Sequence, residues 1–138
     1  MTHADVALFT GLGYFFTGMA QILRAEMQDN ESDGFKEASA PVGQALQQVQ
    51  TCRQHEERIL EVAQSIDDSA YFVRRTEVIS QSTQALSEGL AAMARDLAEG
   101  FYPAEACSMI NPVLTRMVAN FEQDAKIEGV LSRFAVQS

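Results

Sequence analysis

Along most of the chain apolar residues recur at alternating steps of three and four, and three short breaks divide that pattern into four segments. Such spacing lines one face of a helix, so each segment predicts a helix. The first opens on Thr2, a capping residue with Asp5 three places on, and runs to about Gln28. Its apolar positions predict an a/d seam of Phe9, Leu12, Phe16, Met19 and Leu23, widened by Leu8, Phe15 and Ile22 at g.

The break at Asp29–Gly34 is polar and acidic, and Pro41 suits a first helical turn, so the second helix is expected from Pro41 to about Ile66. Its inner rows are Val42, Val49, Glu56 and Ala63, and Ala45, Cys52, Ile59 and Ile66, with Leu46 and Leu60 alongside. Asp67–Ser69 supply caps for the third segment, where Phe72, Thr76, Ile79, Thr83, Leu86, Leu90, Met93 and Leu97 keep the spacing to near Gly100. After Glu99–Pro103 the fourth carries Ile110, Leu114, Met117, Phe121, Ala125, Leu131 and Ala135. Asn111-Pro112 is expected to kink that helix or split it.

No run of β-branched residues alternates for more than a few positions, which predicts an all-α fold. Segments of roughly 24–32 residues give helices about 36–48 Å long, and short breaks favour antiparallel neighbours. The expected architecture is a single domain over residues 1–138, an up-down-up-down four-helix bundle.

Glycine complicates the first helix. Gly11, Gly13 and Gly18 each cost roughly 1 kcal/mol against alanine in a helix interior. Ala4, Gly11, Gly18 and Ala25 fall at heptad spacing, one stripe beside the apolar seam. Where the β-carbon is missing, another backbone can approach closely. The approaching group is a crossing helix of this chain, a second copy or another protein, or a flat ligand or lipid. Phe9, Gly11, Phe16, Gly18 and Ala25 are therefore the candidate interface residues.

Composition narrows the function classes. The chain has 138 residues, 46 % of them apolar and 21 % charged, enough for a core without staples. A net charge of −9, with only ten Lys and Arg, argues against nucleic acid and anionic lipid, which need clustered cations. The two cysteines, Cys52 and Cys107, form no metal or disulfide pattern and fit a reducing cytoplasm. Val6 to Leu23 is uncharged for 18 residues, the lower limit for a membrane span. Its threonines and glycines, the preceding Asp5 and the lack of a basic flank before it argue against a span or a cleaved signal.

Candidate chemistry is sparse. Cys52, His55 and Glu56 share a face at the spacing of a thiol–imidazole or metal-ligand arrangement, yet no second ligand-rich element or oxyanion loop accompanies them. The Glu-x-x-His motifs of di-iron bundles are missing. Asp29, Glu31, Asp33, Gly34 and Glu37 follow the opening of a calcium-binding loop, but Ala40 stands where a bidentate Glu is required. Glu56, Thr76 and Thr83 are polar at predicted core positions and are the candidate lining of a ligand pocket between helices.

These readings lead to a non-catalytic, cytoplasmic interaction module with no metal or cofactor. It would act through a helical face on another protein or on itself, as an adaptor, chaperone, inhibitor or immunity-type protein. A ligand-sensing or cofactor-binding bundle is the principal alternative, and a membrane-associated helical protein the next.

Overall fold

The computed structural model describes residues 3–28, 31–64 and 70–119, and the side chains of all of these except 59, 60, 62–64 and 70–76. Four helices account for nearly all of the described backbone, which contains no strand, and the fold is all-α. Helix α1 spans His3–Glu26, α2 spans Glu31–Gln64, α3 spans Ala70–Ala98, and α4 covers 104–119. The expectations for Ile59, Leu60, Ala63, Ile66, Phe72, Phe121, Ala125, Leu131 and Ala135 lie outside the described residues or side chains.

Helix α2 is the shared element. Helix α1 packs along it and so does α3, while α1 and α3 do not approach each other among the described residues. Gly11 lies against Ala45, Gln48 and Val49, Gly18 against Ala38, Pro41 and Val42, and Ala25 against Gly34. A step of seven along α1 is thus answered by a step of seven backwards along α2, so the two helices run antiparallel in one register. A β-carbon added at Gly18 would stand 2.7 Å from Val42 Cγ2, and one at Gly11 3.2 Å from both Gln48 Cβ and Val49 Cγ2.

The expected seam of α1 is displaced. Ala4, Leu8, Gly11, Phe15, Gly18, Ile22 and Ala25 are buried, whereas Phe9, Phe16 and Leu23 are exposed and Leu12 and Met19 only half-buried. A row with a bulky residue at every seventh place holds a neighbouring helix away. The buried row alternates small with large and so admits one closely. Burying Leu8, Phe15 and Ile22 returns roughly 1.5–3 kcal/mol apiece, which outweighs the propensity cost of Gly11 and Gly18.

Helix α2 begins ten residues earlier than Pro41, at Glu31, and carries that proline inside it. Pro41 cannot donate a backbone hydrogen bond, but it is buried beside Gly18, and Phe35 and Ala38 on the preceding turns are buried as well. Packing against α1 therefore carries the helix through a residue that local rules place at its start.

Helix α3 ends where the sequence indicates. Gly100 has φ +84°, Phe101 N–H donates to Asp96 C=O at 2.9 Å and Gly100 N–H to Leu97 C=O at 2.9 Å, the paired bonds of a left-handed C-cap. The turn rests on the start of α2, with Gly100 against Ser32 and Lys36, and the Tyr102 ring edge-on to Phe35 at 6.1 Å. Helix α4 then packs on α3 where Ile110 covers Gly89. It runs unbroken through Asn111-Pro112, so no short helix is split off; Pro112 is exposed, and the Thr115 hydroxyl donates to Asn111 C=O at 3.0 Å.

Gly18→Leu is expected to lower unfolding stability by about 1–3 kcal/mol, because its side chain has to displace Val42. Gly13→Ala, with open space where the β-carbon would stand, should raise it by up to about 1 kcal/mol. Urea denaturation of the two variants gives both values.

Candidate interaction surface

Close packing on one side of α1 leaves an apolar surface on the other. On α1 Val6, Phe9, Phe16 and Leu23 are 49–60 % exposed, and Met27 just past its end is 87 % exposed, an unusual concentration of large apolar side chains. From Val6 to Leu23 that surface carries no charge, although the outer face of an amphipathic helix is ordinarily charged. Even its hydroxyls are turned inward: Thr10 Oγ1 donates to Val6 C=O at 2.7 Å and Thr17 Oγ1 to Gly13 C=O at 3.0 Å. These bonds satisfy the hydroxyl donors within α1 itself.

The five candidate interface residues divide between the two sides of α1. Gly11, Gly18 and Ala25 are taken up within the chain by α2, so the approaching backbone that their stripe implied is a helix of the same chain. Phe9 and Phe16, read as core, face outward instead. The full outer row, including Gly13 and Ala20, had a sequence signal in its own three–four spacing, masked by the stronger apparent seam beside it.

Thr83 is buried on α3, and its hydroxyl donates to Ser80 C=O at 3.0 Å; Ser87, also buried, donates to Gln84 C=O at 2.8 Å. Thr83 thus donates its hydroxyl proton to its own helix. Glu56 is buried on α2 one turn beyond Cys52. The backbone at Thr76 belongs to α3, and its side chain lies outside the described residues.

Cys52 is fully buried, and its thiol is pushed up to about 12, first by burial and then by the negative charges of Glu56 and Asp5. A nucleophilic cysteine needs the opposite environment. His55 stacks its ring on His3 across the α1–α2 interface, centroids 5.8 Å apart at 29°. Cys107 is half-buried and also raised by burial, against a hydrogen bond from Tyr102 that pulls the other way. Among the described residues no three His, Cys, Asp or Glu side chains converge so as to hold a metal ion. The calcium-loop reading is corrected for positions 31–40, which are helical and cannot wrap an ion; Asp29 lies outside the described residues.

Comparison with protein-family models, with curated proteins and with solved structures found no match for this chain.

The raised Cys52 thiol gives stability a defined dependence on alkaline pH. The folded state holds the proton longer than the unfolded state, so this contribution is complete below about pH 9 and is lost as the pH rises towards 12, at up to roughly 1.4 kcal/mol per pH unit. Cys52→Ala should flatten that part of the stability profile. In the native chain at pH 8, Ellman's reagent should react with Cys52 only on unfolding.

Proposed function

We propose that this protein is a non-catalytic interaction module, cytoplasmic, acting through the outer face of α1 on another protein or on itself. The observation that carries the reading is that face: a row of exposed apolar side chains with no charge between Asp5 and Arg24, on a chain of net charge −9. A protein with so much charge elsewhere that withholds it from the stretch of α1 between Val6 and Leu23 has the surface of an interaction site. The architecture proposed for it is an antiparallel up-down-up-down four-helix bundle. The antiparallel α1–α2 pair supports this, as do the contacts that bring the α3–α4 turn onto the start of α2. An adaptor, chaperone, inhibitor or immunity-type role fits such a module equally.

A second reading has its own observation. Helix α1 is long and apolar enough to cross a bilayer, and a third of its most apolar stretch is buried in the fold. Against it stand the matched small-residue seam, which ties α1 to a charged neighbour, and the acidic net charge.

Phe16→Lys distinguishes the two. Because Phe16 is 60 % exposed, the variant should melt within a few degrees of the parent, with a stability change of about 0.5 kcal/mol or less. It should also lose association measured by light scattering or by co-purification of a bound chain. Unchanged association would overturn the assignment of function to this face, and loss of vesicle flotation instead would favour the membrane reading.

A further inference from the structure

We infer that the outer face of α1 pairs with the same face of a second copy of this chain, antiparallel, about a two-fold axis passing between Tyr14 and Phe15. The inference rests on the proposed interaction role of that face and names its partner.

Gly13 is the first argument. Of the three glycines in α1, Gly11 and Gly18 admit α2, whereas nothing in the described structure lies within 4 Å of where a β-carbon at Gly13 would stand. Among the described residues the helix bears the conformational cost of that glycine without a return. A close approach from outside supplies one.

The size pattern of the face is the second. Val6, Phe9, Gly13, Phe16, Ala20 and Leu23 alternate by three and four along the side of α1 opposite its α2 seam. Antiparallel helices pair successive positions of such a row in crossed order. With the axis between Tyr14 and Phe15, Phe16 meets the partner's Gly13, Phe9 meets the partner's Ala20, and Val6 meets the partner's Leu23. Each phenylalanine is set against a small residue, and by symmetry each small residue receives a phenylalanine. A parallel pair in register would stack Phe16 on Phe16 and leave Gly13 opposite Gly13.

Charge points the same way. Two copies, each with a net charge of −9, repel over most of their surface, but not over the uncharged stretch from Val6 to Leu23. The antiparallel sense brings the Asp5 end of one face to the Arg24 end of the other and opposes the two helix dipoles, whereas a parallel sense would set like charges together.

Sedimentation equilibrium of the full chain over a concentration series, with Gly13→Leu and Phe16→Lys beside it, tests the inference. The parent chain should pass from monomer to dimer. Gly13→Leu should weaken the dimer at least about tenfold while melting no lower than the parent at concentrations where both are monomeric, since a leucine there fills the hole that receives Phe16. The added leucine makes the face more apolar, so a merely sticky surface would associate more strongly.

Spin-label distances fix the sense of the pair. In a chain whose own cysteines are replaced, labels on Thr17→Cys should lie close to their symmetry mates, and labels on Arg24→Cys should be offset from theirs by about 29 Å along the helix. A monomer at every concentration, a dimer indifferent to Gly13→Leu, or equal separations at both labels would overturn the inference. A monomer that binds a different protein through Phe16 would overturn it while leaving the proposed function standing. A monomer that floats with phosphatidylcholine vesicles, and ceases to with Phe16→Lys, would overturn both.

Discussion

The distance between α1 and α2 is set by carbon atoms that are missing. At Gly11, Gly18 and Gly34 a single β-carbon would collide with, or press on, the facing helix, and the same register brings Ala25 onto Gly34. Tight contact along the pair lets Leu8, Phe15 and Ile22 bury fully beside the small residues, against an α2 face of Ala38, Val42, Ala45, Val49 and Cys52. Dispersion falls steeply with separation, so a seam held apart by one bulky residue would forfeit contact along its neighbours as well. Helix α2 in turn supplies the surface on which α3 packs, and its start receives the α3–α4 turn through Ser32, Phe35 and Lys36.

The choice of seam has an outward consequence. A helix has one circumference, and α1 spends the side with small residues on its neighbour, which leaves Phe9, Phe16 and Leu23 in the open. Hydrophobic energy alone would favour burying the row with the most apolar area. The structure buries the row that fits, and the remaining apolar area becomes available for association. Structure and proposed function are linked at this point: the same steric requirement that closes α1 onto α2 presents the face through which the protein is proposed to act.

Much of this was legible in the sequence. The three–four spacing located the helices, the break at Glu99–Pro103 marked the end of α3 near Gly100, and the heptad of Ala4, Gly11, Gly18 and Ala25 identified a close approach before any partner was known. The orientation of α1 was not legible, because spacing reports that two rows exist and not which one has a complementary neighbour. The start of α2 was hidden for a related reason. Gly34 and Pro41 are both poor helix residues locally, and only their contacts with Ala25 and Gly18 on another helix show why they are tolerated there. Thr83 and Cys52 were placed on the buried side correctly, but whether their polar atoms were available depended on rotamer and burial. Thr83 bonds its own backbone, and the Cys52 thiol is held protonated.

Which row of α1 meets α2 can be read by solvent paramagnetic relaxation on methyl- and phenylalanine-labelled protein, measured dilute enough to be monomeric. With α1 packed through its small-residue row, a soluble paramagnetic agent should broaden the Phe16 ring and the Leu23 methyls strongly and leave Phe15, Leu8 and Ile22 protected. Protection of Phe16 and Leu23 together with broadening of Phe15 and Ile22 would mean that α1 packs through its large-residue row instead.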